Sequence, residues 1–259
     1  MIQNKVIVIT GASSGIGFEV MKRFAAEKSN TILAVARRID KLEGYAENVI
    51  PFSCDVSSCE GIDALFGKIN ELFDKVDIFY ANAGVPYYEK FDYENWDRVR
   101  AIFDLNTLSP IYTYSKYINH LNGRQGQLVY TISAIGEMAM PGFALYSASK
   151  FGLNGFQQAI RLEKPDNLTL TCIYPVSTKT NFAKVAGEGK EVDLPSPVQD
   201  VEEVADAAVS GIIAGKESIY PCKVYLPSKV IMSLFPFARR AYWNQENAKF
   251  LRHLERQKK

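Results

Sequence analysis

Tyr146 and Lys150 stand four residues apart, so a helix through them sets both side chains on one face and lets their polar ends converge. A phenol near its ordinary pKa of ~10 is a poor acid–base catalyst at neutral pH, and a neighbouring ammonium favours its phenolate. The pair is therefore read as a proton donor and its activator. Ser133 lies thirteen residues upstream of the tyrosine, at the end of an apolar run, where its hydroxyl can orient and polarise a carbonyl oxygen. Asn106, in Asp104-Leu105-Asn106, falls inside a long helical stretch for which Asn has poor propensity. A relay role, through water to Lys150, would account for it.

A second constellation begins earlier. Thr10-Gly11-Ala12-Ser13-Ser14-Gly15-Ile16-Gly17 joins an apolar run to a helical pattern, where backbone N–H groups and the helix dipole can receive a pyrophosphate. A Gly-rich turn alone can also be a tight connection without function; its place between strand and helix favours cofactor binding. About 20 residues past such glycines, folds that choose NAD place an acid for the ribose 2′-OH. This chain has Ala36-Arg37-Arg38 there. A guanidinium pairs with a 2′-phosphate and meets nothing negative on NAD's free hydroxyl, so NADPH is expected over NADH. The alternative is that Arg37 and Arg38 only solvate an exposed loop.

These residues need a frame. Apolar runs at 6–10, 31–35, 78–81, 127–133, 168–174 and 219–226 read as strands, and helical periodicity fits 16–27, 61–73, 96–121, 146–163 and 201–214. Alternation of strands apolar on both faces with amphipathic helices predicts an α/β fold, a doubly wound parallel sheet of Rossmann type, with ligands beyond the C-terminal strand ends. One domain is expected: residues 1–228 as the catalytic, NADP-binding unit and 229–259 as a basic, partly apolar helical extension of it. That extension holds eight of the 30 Lys+Arg and two of the 29 Asp+Glu, so a basic tail follows an acidic body.

Composition narrows the function. A net charge of +1 is far from the footprint of phosphate-backbone binding, so nucleic acid is not an expected partner. Cys54, Cys59, Cys172 and Cys222 form no C-x-x-C pair and adjoin no His cluster, which argues against a metal site and for free thiols in a reducing compartment. No apolar run reaches the ~18 residues of a membrane span, and the strand at Val6 leaves no room for an export signal. The expected location is cytoplasmic.

Taken together, the phosphate turn, Asn82-Ala83-Gly84, Asn106, Ser133 and Tyr146-Ser147-Ala148-Ser149-Lys150 resemble the classical short-chain dehydrogenases/reductases over roughly residues 5 to 226. The resemblance implies an oxidoreductase that moves a hydride between NADP and a carbonyl or alcohol carbon. It makes Tyr146 the proton donor, gives Lys150 the roles of lowering its pKa and holding the nicotinamide ribose, and leaves Ser133 to steady substrate and Asn106 to anchor a water relay. Asp55-Val56 corresponds to the family's adenine contact, Asn82-Ala83-Gly84 to its adenine-side strand end, and Thr178 and Thr180 to positions that bind the carboxamide. The family's Pro-Gly is here Pro175-Val176, which keeps a side chain beside the nicotinamide pocket. A homodimer or homotetramer through the helices carrying Asn106 and Tyr146 is also implied.

Residues 181–199 are expected to form a mobile flap, with Gly187 and Gly189 as hinges and Pro195 and Pro197 ending it. Pro86, Tyr87, Tyr88, Glu137, Met138, Met140 and Phe143 are candidates to line a pocket for a lipophilic carbonyl, or in part to pack in the core. Trp96, Trp243 and His120 read as packing or surface residues. The tail from Val230 to Phe237, with Arg239-Arg240 and Arg252, Arg256, Lys258 and Lys259, can lie on an anionic membrane, dock on a subunit or cover the pocket; packing is favoured because Pro236 breaks the apolar face short. A non-catalytic NADPH sensor, or an isomerase or dehydratase on the same scaffold, are the alternative functions.

Overall fold

The computed structural model describes residues 2–187, 189 and 192–257; Lys258 and Lys259 of the basic tail, and Glu188, Lys190 and Glu191 of the flap, lie outside the described residues. In chain order the first half comprises β1 (Val6–Thr10), α1 (Gly15–Ala25), β2 (Thr31–Ala36), β3 (Val49–Ser53), α2 (Cys59–Leu72), β4 (Ile78–Ala81), α3 (Trp96–Phe103), a π-helical turn (Asp104–Leu108) and α4 (Ser109–Leu121). The second half comprises β5 (Gly126–Thr131), a 3-10 turn (Ala134–Gly136), α5 (Ala144–Glu163), β6 (Leu168–Ile173), β7 (Ser177–Lys179), α6 (Asn181–Ala186), β8 (Val198–Asp200), α7 (Val201–Ile213), β9 (Ser218–Ile219), α8 (Tyr225–Leu234) and α9 (Pro236–Gln257).

Seven strands form one sheet in the order β3-β2-β1-β4-β5-β6-β9, every adjacent pair parallel. Chain order reverses between β1 and β4, and the crevice above that point is where a doubly wound sheet takes its ligand. Because both faces are covered, the strands bury residues of either parity: Ile7 and Ile9 join α1 and α7 on one side, while Val8, Leu128 and Leu170 join α2, α4 and α5 on the other.

The strand pattern differs from expectation in places. The strand expected at 219–226 is only Ser218–Ile219, and Tyr225 already begins α8. The run is apolar enough for a strand, but Pro221 and Pro227 remove two ladder donors, and the helical spacing of Tyr225, Ser228, Lys229 and Met232 prevails. Strands β3, β7 and β8 are additions, the last two pairing with each other apart from the main sheet. Pro51 sits inside β3, tolerated because β3 is the sheet's outer strand and needs donors on one side only.

A third, smaller apolar cluster sits above the strand ends, where Tyr88, Met140, Phe143, Tyr146 and Ala186 pack with Phe250 of α9. Helix α9 is seated there: a Cβ on Gly142 (φ +79°) would meet Tyr88 at 2.4 Å and Phe250 at 2.7 Å, so only glycine lets the two rings close over that turn. Trp243 Nε1 donates to Ala139 O at 2.9 Å, and the Tyr242 hydroxyl donates to Ser196 O at 2.5 Å. The tail thus covers the substrate side of the molecule with its inner face.

Candidate active site

At the C-terminal strand ends a cleft of about 590 Å³ runs from the β1–α1 turn to α8. Its floor at one end is Gly11, Ser13, Ser14, Gly15 and Ile16, with Arg37, Arg38, Asp55 and Val56 beside them. Asn82, Ala83 and Gly84 follow at the middle, then Ser133, Tyr146 and Lys150, with Pro175, Val176, Thr178 and Thr180 opposite. Gly17 and Asn106 do not line the cleft; each stands one layer behind it.

Gly17 is required by close approach. A Cβ there would lie 2.4 Å from Asn82 Nδ2 and 2.5 Å from Gly11 O, both fixed parts of the turn. Asn82 ties that turn to the sheet, donating from Nδ2 to Thr10 O at 3.1 Å and accepting at Oδ1 from Thr131 Oγ1 at 3.0 Å. Helix α1 begins at Gly15 with no side-chain cap and no acid in its first turn, which leaves its N–H groups and positive dipole end directed at the cleft. Arg37 and Arg38 are exposed at the end of β2, and neither has an ion-pair partner among the described residues. A dinucleotide's pyrophosphate fits this end.

Asn106 falls on the π-helical turn that breaks the helix expected over 96–121 into α3 and α4. The wider turn accommodates a residue of low helix propensity and swings its amide inward. Nδ2 donates to Val85 O at 2.9 Å and to Ser149 Oγ at 3.1 Å, and Oδ1 accepts from Val85 N at 2.9 Å. Asn106 therefore clamps the strand end after Gly84 to the helix that carries the tyrosine. A Cβ on Gly84 would lie 3.1 Å from Asn106 Oδ1 and 3.6 Å from Lys150 Nζ, so the two groups flank the same backbone.

Ser133 has φ +101°, a conformation a serine rarely adopts, and its strain belongs to the turn that leaves β5. Pro175 O accepts from Ala134 N at 2.8 Å and from Ser133 Oγ at 3.3 Å, holding the turn against the end of β6. Lys150 Nζ donates to Thr131 O at 2.9 Å and lies 5.9 Å from the centre of the Tyr146 ring.

The electrostatics differ from the sequence reading. Burial pushes the Tyr146 phenol above its ordinary range, against a smaller lowering by the neighbouring Ser133 hydroxyl. Burial also brings the Lys150 ammonium down to about 7. Desolvation sets the direction for both groups, so the phenol lies above its ordinary value rather than below it. The tyrosine is then neutral at pH 7, the protonation state a proton donor needs.

On the substrate side Pro86, Met138, Met140 and Phe143 line the cleft, joined by Phe182, Val185, Leu194, Met232 and Tyr242. Tyr87, Tyr88 and Glu137 do not. Tyr87 lies under the Arg98 guanidinium at 4.1 Å, Tyr88 is packed between Phe143 and Phe250, and Glu137 accepts from the Tyr220 and Tyr225 hydroxyls and pairs with Lys229 at 2.7 Å. His120 packs as expected, accepting from Val76 N at 3.0 Å. The residues that sequence reasoning missed, Tyr225, Ser228, Lys229 and Met232, come from α8; their i, i+3, i+4, i+7 spacing was the available signal.

Comparison with known proteins agrees with the fold. Residues 5–191 match the short chain dehydrogenase family model. Glycine betaine reductase ATRR of Emericella nidulans is 31% identical over 222 residues, 80% of this chain but 17% of that much longer protein. The 11-beta-hydroxysteroid dehydrogenase-like 4A protein of Arabidopsis thaliana is 27% identical over 226 residues, 83% of this chain and 75% of that protein. A short chain dehydrogenase from Burkholderia cenocepacia, solved in complex with NADP, shares the fold with a TM-score of 0.78 at 18% identity, over 93% of this chain and 98% of that one. With the family model matched through β1, the phosphate turn and the Tyr146–Lys150 helix, the chain belongs to the short-chain dehydrogenases, a family of NAD(P)-dependent oxidoreductases.

Proposed function

We propose that this chain is an NADPH-preferring reductase of lipophilic ketones or aldehydes, reversible to the alcohol, in which Tyr146 delivers the proton. The observation that carries the reading is the single cleft joining the exposed Arg37 and Arg38 to Ser133, Tyr146 and Lys150 and then to an apolar far wall. When bound, the nicotinamide supplies the hydride to the carbonyl carbon. Ser133 donates a hydrogen bond to the carbonyl oxygen and fixes its direction. As negative charge grows on that oxygen, the neutral Tyr146 phenol transfers its proton, and the Lys150 ammonium stabilises the phenolate left behind. Thr178, Thr180 and Lys150 hold the nicotinamide end, the turn from Gly11 to Gly17 the pyrophosphate, Asp55 and Val56 the adenine end, and Asn106 positions the helix beneath them.

Met138, Met140, Phe143, Phe182 and Leu194 support a large apolar substrate, as does the hydroxysteroid dehydrogenase-like name of the Arabidopsis relative. Exposed Leu108 and Phe151, on the segments that carry Asn106 and Tyr146, support a homo-oligomer through those elements. The test is a panel of ketones and aldehydes followed by NADPH absorbance, with Tyr146→Phe beside the wild type. Turnover of apolar carbonyls that falls about 10²- to 10⁴-fold in the variant is expected. Wild-type turnover in Tyr146→Phe, or NADPH binding with no oxidation by any carbonyl, overturns it.

A further inference from the structure

Helix α8 has two faces. Tyr225, Ser228, Lys229 and Met232 line the mouth of the cleft. The opposite face and the elbow into α9 expose Leu226, Val230, Ile231, Leu234, Phe235 and Phe237, from 42% for Leu226 to 74% for Phe237. Single apolar side chains on a surface need no explanation; six between residues 226 and 237 make a patch, and contiguous patches mark interaction sites.

The charge around it has one sign. From residue 218 to 245 the chain contains Lys223, Lys229, Arg239 and Arg240 and neither Asp nor Glu. Lys229 is committed to Glu137, while Lys223, Arg239 and Arg240 are exposed at the rim. A second copy of the chain is a poor occupant, because from residue 218 to 245 the same surface carries four cations and no acid to pair with them, so a self-complementary contact would bring like charges together. An anionic bilayer answers both features: its headgroups neutralise the rim and its acyl boundary takes the apolar side chains. No helix among the described residues is long and apolar enough to cross a membrane, so contact would lie in the interface plane. Pro236, which ends α8's apolar face short, also makes the elbow that presents Phe235 and Phe237 beside it.

We propose that the α8–α9 elbow docks this protein on anionic phospholipid surfaces through the face of α8 that points away from the cleft. The proposal is independent of the turnover reading, since binding is measured without substrate. The experiment is flotation of the full chain with phosphatidylcholine vesicles, with and without phosphatidylserine, at low and high salt. Expected is flotation with phosphatidylserine vesicles at low salt, reduced as salt screens the cations. Leu234→Asp with Phe237→Asp should abolish flotation, and Arg239→Ala with Arg240→Ala should weaken partitioning by about 30-fold, at about 1 kcal/mol per base. Both variants should keep wild-type NADPH affinity, as these residues lie outside the cleft, and the double Asp variant should keep wild-type melting, as Leu234 and Phe237 are 69% and 74% exposed. Absence of the wild type from phosphatidylserine vesicles at low salt, or wild-type flotation of the double Asp variant, overturns the proposal. A wild-type dimer in sedimentation that the double Asp variant dissolves also overturns it and makes a second copy the occupant.

Discussion

The phosphate end of the cleft rests on the ends of β1, β2 and β4, whereas the apolar end is made of loops and the helices α6, α8 and α9, with α9 packed over them. In the first region each functional group leaves a fully buried strand: Ile7, Val8, Ile9 and Leu33 are all at 0% exposure just below it. In the second, a cluster of eight buried residues is closed by one helix near the chain end. The difference teaches that cofactor geometry and substrate geometry are stabilised separately, so damage to one should leave the other standing.

Phe250→Ala should break the comparison most sharply if it is wrong. The ring packs on Tyr88 at 5.2 Å between centroids, and its loss from this cluster should cost about 3 kcal/mol. Urea unfolding should show that cost, and KM for an apolar carbonyl should rise while NADPH affinity in the folded enzyme stays within about twofold. Equal collapse of NADPH affinity would mean the two regions are one.

From the other side, Arg37→Ala should weaken NADPH by about 10- to 100-fold, the worth of charge-assisted hydrogen bonds to a 2′-phosphate, and leave NADH and the carbonyl KM unchanged. Calorimetry with both cofactors decides it, and equal wild-type affinities would remove the preference altogether.

Lys150 lies where the regions meet. Its ammonium is brought down to about 7 by burial from an ordinary value of 10.5, so the folded chain releases this proton before the unfolded chain does. Between those values the unfolded state binds more protons, and this group's contribution to stability rises with pH; below about 7 both states are protonated and the penalty is full. Activity should run the opposite way: kcat/KM for carbonyl reduction in the free enzyme should fall above pH about 7, approaching tenfold per unit, as the ammonium is lost. Lys150→Met should raise melting near pH 7, abolish turnover and flatten that stability slope.

The sequence was most informative in the first region and least in the second, for a physical reason. A phosphate turn, an Arg after a strand and a Tyr–Lys pair on a helix act through local backbone geometry, so spacing alone places them; β1 and β4 also came at their expected boundaries. The strain at Ser133 and the π-helical turn at Asn106 were not readable, because both arise where separate elements compete for one backbone. The substrate wall depends on contacts across more than a hundred residues, such as Tyr88 with Phe250, and so Tyr88 and Glu137 look like lining residues until the tail is folded over them. Likewise the sign of the phenol's shift turns on burial, which the i, i+4 spacing does not encode.

The smallest expected effect concerns the join between flap and tail. Glu246 is 3% exposed on α9, pairs with Lys249 at 2.9 Å and accepts from Ser196 N at 3.5 Å, while Lys249 also donates to Ser196 Oγ at 3.3 Å. Ser196 lines the cleft, so this network fixes a stretch of substrate wall from behind. Glu246→Gln keeps shape and an acceptor oxygen but removes the charge, leaving the partly buried Lys249 ammonium without its carboxylate. A loss of about 1 kcal/mol, or roughly 2 to 4 °C in melting, is expected, with a KM rise of a few-fold and no change in NADPH affinity. Because the carboxylate is buried, the effect should survive high salt, unlike that of a surface pair. A melting change that salt erases would place Glu246 among ordinary surface charges and remove the tail's hold on the substrate wall.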